Sequence, residues 1–226
     1  MSTRVGVIVF PGACDDRDAA RAVELVGGEP VMLWHAEPDL KGADAVIVPG
    51  GFSYGDYLRC GALAALSPVM RAVRAHAEAG GPVLGICNGF QVLTEAGLLP
   101  GALRTNAGLR FRCHDAALRV ERESPWLAGA SPGDLLSIPI KHHDGAFFAP
   151  PEEVARMEAA GQVLLRYEPN PNGSVAAIAC VTNAAGNVAG LMPHPEHAVD
   201  PLLGPTDGRR LLEGLLALAG RGLAVA

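Results

Sequence analysis

The sequence has little charge and no long apolar run. Charged residues make up 19% of its 226 residues, aromatic residues 5%, and the formal net charge is −6. A negative chain of this kind does not favour nucleic acid or an anionic membrane surface as its main partner. Its apolar stretches are far shorter than the ~20 residues that a membrane-spanning helix needs. We therefore expect neither nucleic acid nor membrane as a partner.

Two further features are missing, a paired cysteine pattern and a leader. The five cysteines are widely spaced, odd in number and include no Cys-x-x-Cys pair, which predicts free thiols in a reducing compartment. The segment Met1-Ser2-Thr3-Arg4 has no signal pattern and runs directly into a predicted strand. Both observations favour a cytoplasmic location.

What the sequence does contain is an alternation of short apolar runs and helical patterns. In the first half this predicts strands at Arg4–Phe10, Pro30–Trp34, Ala45–Val48 and Val83–Ile86, with helices at Asp16–Val26, Gly61–Ala79 and Asn88–Gly97. After Asn106 it predicts strands at Leu109–Val120, Asp134–Lys141, Gln162–Tyr167, Ser174–Thr182 and Asn187–Met192, with helices at Pro151–Ala160 and Asp207–Ala219. We predict a single α/β domain over residues 1–226, with a doubly wound, mostly parallel sheet flanked by helices and a mixed or antiparallel extension.

The most informative motif is a cysteine at a strand-to-helix corner, in Gly85-Ile86-Cys87-Asn88-Gly89. The two glycines allow a tight, strained turn like the nucleophile elbow of hydrolases. A thiol at the N-terminus of a helix faces free backbone N–H groups and the positive end of the helix dipole, which favour thiolate. Although a buried cysteine usually only packs as a small apolar side chain, this context favours a nucleophile.

A histidine flanked by prolines follows far downstream, in Met192-Pro193-His194-Pro195-Glu196-His197. The prolines exclude a helix interior and favour an extended or turn conformation, in which His194 and Glu196 can project to one side. The carboxylate would hold one ring nitrogen and leave the other free as a base. A short cluster broken by prolines is a poor zinc signature compared with His-Glu-x-x-His, so we expect no metal.

A glycine pair forms the third motif, in Pro49-Gly50-Gly51-Phe52, directly after the predicted strand Ala45–Val48. It lacks the Gly-Lys-Ser/Thr ending of a phosphate-binding loop. Two backbone N–H groups, those of Gly51 and of Asn88, are therefore candidates for an oxyanion hole that serves acyl transfer. An ordinary turn after a strand is the equally weighted alternative for this segment alone.

Together these motifs resemble the class I, triad-type glutamine amidotransferases, with their flavodoxin-like fold. The segments Phe52-Ser-Tyr-Gly-Asp-Tyr-Leu-Arg59 and Leu99-Pro-Gly-Ala-Leu103 more closely resemble the amidotransferase subunits of phosphoribosylformylglycinamidine synthase. This family usually has arginine where the chain has His197. It also has a His-Gly-Glu-Gly-Arg-like stretch where the chain reads His142-His-Asp-Gly-Ala146.

The resemblance implies roles for individual residues. Cys87 is the nucleophile, His194 the acid and base, Glu196 its orienter, and the backbones of Gly51 and Asn88 form the oxyanion hole. It places Gln91, Phe52 and His142 by the glutamine, and Asp56 and Arg59 in the pocket or at a partner interface.

The resemblance also implies partners. The subunit would hydrolyse glutamine and deliver ammonia to a synthetase subunit, which uses ATP and magnesium to make formylglycinamidine ribonucleotide in purine biosynthesis. A small third subunit would bridge the two, and the chain itself would hold no cofactor.

Three alternatives stay open. The acceptor of the ammonia could differ, because the triad alone is common to amidotransferases with many acceptors. The chain could instead be a cysteine hydrolase or chaperone of the related superfamily. In that superfamily histidine usually follows the cysteine, whereas in this chain Asn88 follows Cys87. A catalytically idle docking subunit is the third alternative, and the presence of Cys87, His194 and Glu196 together disfavours it.

Overall fold

Short apolar runs form the strands, and amphipathic segments form the helices that pack on them. The computed structural model describes residues 2–221. Its strands are β1 Arg4–Val9, β2 Glu29–Trp34, β3 Ala45–Val48, β4 Val83–Ile86, β5 Ala102–Arg104, β6 Arg112–Val120, β7 Leu135–His142, β8 Ala146–Phe148, β9 Val163–Tyr167, β10 Ile178–Thr182 and β11 Val188–Leu191. Its α-helices are α1 Asp16–Leu25, α2 Val69–Glu78, α3 Asn88–Glu95, α4 Pro151–Ala159 and α5 Arg209–Arg221.

Nine of these strands form one sheet in the order β2-β1-β3-β4-β11-β10-β9-β6-β7. From β2 to β11 the pairs are parallel, and from β11 to β7 they are antiparallel. The central strands β3, β4 and β11 are wholly buried, as parallel strands covered on both faces must be. The predicted fold, a mostly parallel sheet with an antiparallel extension, is confirmed.

Three predicted elements begin too early, and two strands were missed. The helix expected over Gly61–Ala79 begins only at Val69, after a 3₁₀ turn at Ala64–Leu66. The strands expected from Leu109 and Ser174 begin at Arg112 and Ile178. The short strands β5 and β8 pair with each other in a separate two-stranded sheet, which the sequence did not predict.

The register of the parallel strands brings the three motifs to one edge. Val48 lies opposite Gly85, and Leu191 lies opposite Ile86, so the residues that follow these strands emerge side by side. The N–H of Cys87 donates to the carbonyl of Leu191 at 2.8 Å, which joins the cysteine corner to the end of β11. Side chains at the carboxyl ends of such strands form the usual site of a doubly wound sheet.

The sheet also curves back on itself. Strand β7 is five positions from β4, which in a flat sheet would separate them by about 24 Å at ~4.8 Å per strand. Instead, the N–H of His194 donates to Pro139 of β7 at 2.8 Å, and the carbonyl of Lys141 lies 3.9 Å from Sγ of Cys87. The curvature therefore places the end of β7 over the carboxyl edge of β4. None of the helices within residues 2–221 is long and apolar enough to cross a membrane.

Candidate active site

Cys87 occupies a strained corner between β4 and α3. Its backbone has φ 50° and ψ −106°, a conformation that side-chain-bearing residues avoid, and its residue is 6% exposed. Strain of this kind costs on the order of 1–3 kcal/mol and persists only where the surroundings enforce it. The corner turns the thiol out of the sheet toward the cavity that it lines.

A close approach of two backbones explains the glycine that follows. A Cβ atom on Gly89 would lie 1.8 Å from the carbonyl oxygen of Val48, so no larger residue fits there. The absence of a side chain lets the first turn of α3 pack directly on the end of β3. The strained corner is thus fixed by its contact with the neighbouring strand.

His194 and Glu196 form a buried pair next to this corner. Nδ1 of His194 lies 2.6 Å from Oε1 of Glu196, and both side chains are 1% exposed. Within the described residues, Nε2 of His194 has no hydrogen-bond partner. The carboxylate therefore holds the proton on Nδ1, and Nε2 is the nitrogen left for acid–base work, as the sequence predicted.

The surroundings of His194 favour the imidazolium form. Burial alone lowers the pKa of His194, but the nearby Glu196 carboxylate and Cys87 sulfur outweigh it and raise the pKa well above its usual range. Cys87 and His194 line the same cavity, so a protonated imidazole lies beside the thiol. The pair is therefore arranged as a nucleophile and an acid that can exchange one proton.

A second carboxylate, which the sequence did not single out, lies near the same ring nitrogen. Oδ2 of Asp15 is 3.7 Å from Nδ1 of His194. Oδ1 of Asp15 is 2.5 Å from Nζ of Lys141 and 3.3 Å from Nε2 of His197. Burial raises the pKa of Asp15, but its contacts with His197, Lys141 and His194 outweigh this and hold the pKa far below its usual value.

The carboxylates and imidazoles around His194 could in principle bind a metal ion, but the ammonium of Lys141 already lies among them. Ligand atoms of Asp15, His194, Glu196 and His197 all lie within 4.8 Å of one another. The ammonium of Lys141 pairs with Asp15, however, and Glu196 engages Nδ1 of His194. The expectation that no metal takes part stays a prediction.

The two backbone N–H groups predicted to form the oxyanion hole are those of Gly51, which lines the cavity, and of Asn88, directly after Cys87. The N–H of Phe52 donates to the carbonyl of Gly12, and the N–H of Cys14 donates to the carbonyl of Gly50. The residues on either side of Gly51 therefore make these contacts, and the N–H of Gly51 itself points away from that loop. The N–H of Asn88, in the first turn of α3, has no carbonyl partner within the helix. Within residues 2–221 neither of these N–H groups donates a hydrogen bond.

The side chain of Asn88 holds the two donors in register, a role that sequence reasoning missed. Its Oδ1 accepts from the N–H of Ser53 at 3.1 Å, and its Nδ2 donates to Gln91 at 2.8 Å and to Asp56 at 3.2 Å. One amide thus ties the glycine loop to the elbow helix. An asparagine directly after Cys87 was the available signal.

The cavity next to Cys87 is lined by all three predicted glutamine-binding residues, Phe52, Gln91 and His142. Gln91 is buried in its wall, donates to the carbonyl of Asp144 at 2.6 Å and accepts from Asn88. Phe52 is half exposed at its mouth. The cavity is also lined by residues that were not predicted, namely Cys14, Asp15, Cys60, Phe111 and Lys141.

His142 presents a neutral ring to this cavity. Asn106 donates its Nδ2 hydrogens to the carbonyls of His142 and Arg110, so its Oδ1 accepts from Nδ1 of His142 at 3.1 Å. Burial, with smaller contributions from His194 and His114, lowers the pKa of His142 to about 4. Its Nε2 is therefore a hydrogen-bond acceptor, and it is unpartnered among the described side chains.

Asp56 and Arg59 lie at different depths. Asp56 lines the cavity, and burial with the nearby Asp144 carboxylate raises the pKa of Asp56. Arg59 is exposed and pairs with Glu95 at 2.5 Å beside a second cavity, of about 580 Å³, that shares Asp56 and Cys60 with the first. Arg59 is thus a residue of the outer groove rather than of the catalytic cavity.

Comparisons with known proteins agree with this geometry. Residues 2–210 match the CobB/CobQ-like glutamine amidotransferase domain. The chain is 59% identical over 215 residues to phosphoribosylformylglycinamidine synthase subunit PurQ of Rubrobacter xylanophilus, covering 95% of this chain and 98% of the relative. It is 57% identical over 214 residues to the same subunit of Synechococcus elongatus, covering 94% and 97%.

A solved structure gives the same result. A chain in the structure of PurLQS from Thermotoga maritima superimposes with a TM-score of 0.89 at 41% identity, over 96% of this chain and 98% of that one. Sequence, fold and site geometry therefore lead to one conclusion. The chain belongs to the CobB/CobQ-like glutamine amidotransferase family and, within it, to the PurQ subunits of phosphoribosylformylglycinamidine synthase.

Proposed function

We propose that this chain is the glutaminase subunit of phosphoribosylformylglycinamidine synthase and that Cys87, His194 and Glu196 carry its chemistry. One observation supports this most strongly: a strained cysteine at a helix N-terminus lies beside a buried imidazole whose far nitrogen is held by a carboxylate at 2.6 Å. This is the arrangement that an activated thiol nucleophile needs.

The first half-reaction releases ammonia. The Cys87 thiolate attacks the side-chain amide carbon of glutamine, and the N–H groups of Gly51 and Asn88 stabilise the oxyanion that forms. His194, as imidazolium, gives its Nε2 proton to the amide nitrogen. The C–N bond breaks, ammonia leaves, and a γ-glutamyl thioester remains on Cys87.

The second half-reaction returns the enzyme. His194, now neutral, takes a proton from water through Nε2, and the resulting hydroxide attacks the thioester carbonyl in the same oxyanion hole. Collapse of the intermediate breaks the C–S bond, releases glutamate and restores the thiolate–imidazolium pair. Glu196 holds the ring through both steps.

The ammonia is passed to a partner. We assign its use to the synthetase subunit, which converts formylglycinamide ribonucleotide to the amidine with ATP and magnesium, and we include a small bridging subunit in the complex. The thiol, imidazole and two N–H groups supply a nucleophile, an acid–base group and oxyanion stabilisation, so this chain needs no cofactor of its own. Five unpaired cysteines and this pathway support a cytoplasmic location.

Glutamate release from glutamine tests the proposal, measured with and without the synthetase and small subunits. We expect low release from the isolated chain and a rise in the complex, because coupling between the two sites prevents wasted hydrolysis. Cys87→Ala should abolish glutamine use while ammonia-dependent synthesis continues. The matched control is Cys113→Ala, which removes an exposed thiol of β6 outside the catalytic cavity.

Two outcomes would contradict the proposal. Glutamate release that persists in Cys87→Ala would remove the nucleophile from the account. Release that needs Cys87 but is the same with and without the synthetase would keep the amidotransferase and reject this acceptor.

A further inference from the structure

Asp15 stands where a helix-capping residue should be, yet it does not cap. It precedes the first residue of α1, the position at which an aspartate normally accepts hydrogen bonds from the next backbone N–H groups. Its carboxylate makes no such bond. The side chain is instead turned inward and is 3% exposed. A residue that forgoes its ordinary local contact is held by something else.

Lys141 makes the closest contact with its carboxylate, and the ring of His194 lies beside the other carboxylate oxygen. Oδ2 of Asp15 lies 3.7 Å from Nδ1 of His194, and Gly50 makes the approach possible. A Cβ atom on Gly50 would lie 2.4 Å from Oδ2 of Asp15 and 2.8 Å from Cε1 of His194. Any side chain at this position would separate the carboxylate from the ring.

The other oxygen of Asp15 joins two more groups to the site. Oδ1 of Asp15 pairs with Lys141, whose own backbone carbonyl lies 3.9 Å from Sγ of Cys87. It also lies 3.3 Å from His197, which in turn is 3.5 Å from Oε1 of Glu196. One buried carboxylate thus contacts the base and links β7 to the loop that carries His194 and His197.

We propose that Asp15 is a positioning residue for the glutaminase reaction: with Glu196 it orients the His194 ring and stabilises its protonated form, while Lys141 offsets part of the negative charge of Asp15. The inference rests on the proposed function for its kinetic consequence. Its structural content, two carboxylates around one imidazole with Lys141 as counter-ion, stands independently of the substrate.

The charge of His194 is the quantity to measure. The titratable groups that face it come from its own loop, the α1 loop, the elbow and β7, namely Glu196, His197, Asp15, Cys87, Lys141 and His142. We would titrate His194 by ¹⁵N-histidine NMR in a Cys87→Ser background, which removes the thiolate and needs no glutamine. His194→Gln identifies the signal.

Two variants should move the pKa of His194 in opposite directions. Asp15→Asn removes a negative charge and should lower it by about one unit, since a charge within 4–6 Å shifts a pKa by at least this much. Lys141→Met removes a positive charge and should raise it. Asp16→Asn, the neighbouring aspartate at the start of the same helix, should leave it unchanged.

Kinetics in the assembled complex, with Cys87 intact, provide the second measurement. Asp15→Asn should lower kcat for glutamate release about tenfold or more with little change in KM, because asparagine keeps the shape of the side chain that lines the cavity and removes only its charge. A packing defect would not shift the two pKa values in opposite directions, so the NMR result separates positioning from a structural role.

The inference is overturned if Asp15→Asn leaves the pKa of His194 at the Asp16→Asn value. It is overturned equally if both charge variants shift the pKa the same way, or if kcat falls while the pKa stays fixed. Should Asp15→Asn fail to fold, Lys141→Met alone decides: an unchanged pKa contradicts the proposal. Absence of glutamate release in the wild-type complex would contradict the proposed function and leave the NMR test of Asp15 intact.

Discussion

The strained backbone at Cys87 leads to an unusual stability prediction. At an ordinary position, replacing alanine with glycine costs roughly 0.5–1 kcal/mol, because glycine loses more conformational freedom on folding. At φ 50° and ψ −106° the Cβ atom carries a strain of about 1–3 kcal/mol that glycine lacks. The difference predicts that Cys87→Gly is about 1 kcal/mol more stable than Cys87→Ala.

Urea unfolding of the isolated chain, followed by circular dichroism, measures this difference directly. Both variants lose the sulfur, so their comparison removes the contribution of the thiol itself. Cys180 is the matched control, because it is a buried cysteine of strand β10 that does not have a positive φ. There, Cys180→Gly should be the less stable of the pair by about 1 kcal/mol.

A Cys87→Ala variant that is more stable than Cys87→Gly would contradict the predicted strain at this residue. If Cys87→Ala proved more stable than Cys87→Gly by the same margin as at Cys180, the corner would carry no strain. The nucleophile elbow would then be an ordinary turn. Neither Cys87 variant should release glutamate. A greater stability of Cys87→Gly than of Cys87→Ala would locate the strain in the backbone of the residue that carries the thiol.

Two further predictions concern side chains around the cavity. Asn88→Ala should lower kcat by ~10- to 100-fold, because Ser53 loses its partner and the loop that carries Gly51 shifts from the oxyanion; an unchanged kcat in steady-state assays would reject this role. His142 has a pKa of about 4 in the folded protein and an ordinary pKa of 6.5 in the unfolded chain. As the pH falls from 6.5 to 4, the unfolded chain binds the proton more readily, so the folded state loses up to ~3 kcal/mol of stability. His142→Asn keeps a donor toward Asn106 and should flatten this loss in urea unfolding at several pH values; equal slopes for both proteins would contradict it.

Local patterns predicted the parts of the site that are local in sequence. The elbow at Cys87 needs only a strand, a helix and two glycines within seven residues, and the pair His194 and Glu196 needs only an extended turn. The structure places Nδ1 and Oε1 of that pair 2.6 Å apart, as the spacing suggested. In each motif, the residues that determine the backbone conformation lie within the motif itself.

Asp15 and Lys141 could not be predicted in this way. Asp15 follows β1, Lys141 lies near the end of β7, and their contact depends on a sheet that curves back by five strands. The sequence around Asp15 is typical of a helix N-cap, which is a sufficient local explanation. Only the three-dimensional structure shows that its carboxylate turns inward.

The helix predicted from Gly61 was wrong for a reason that the sequence did contain. Pro68 restricts the residue before it to extended conformations, and Ser67 has ψ 146°. The helical pattern over Gly61–Ala79 therefore had to be interrupted there, and α2 begins at Val69. The three-residue strands β5 and β8 are too short to show any alternation, so their pairing had no signal.

Rapid-quench mass spectrometry of the assembled complex tests the proposed hydrolysis of glutamine through a thioester on Cys87. With glutamine present, we expect a γ-glutamyl adduct on the peptide that contains Cys87 and none on the peptides of Cys14 or Cys60, which line the same cavity. Glutamate release without any adduct on Cys87, or with the adduct on another cysteine, would contradict the account.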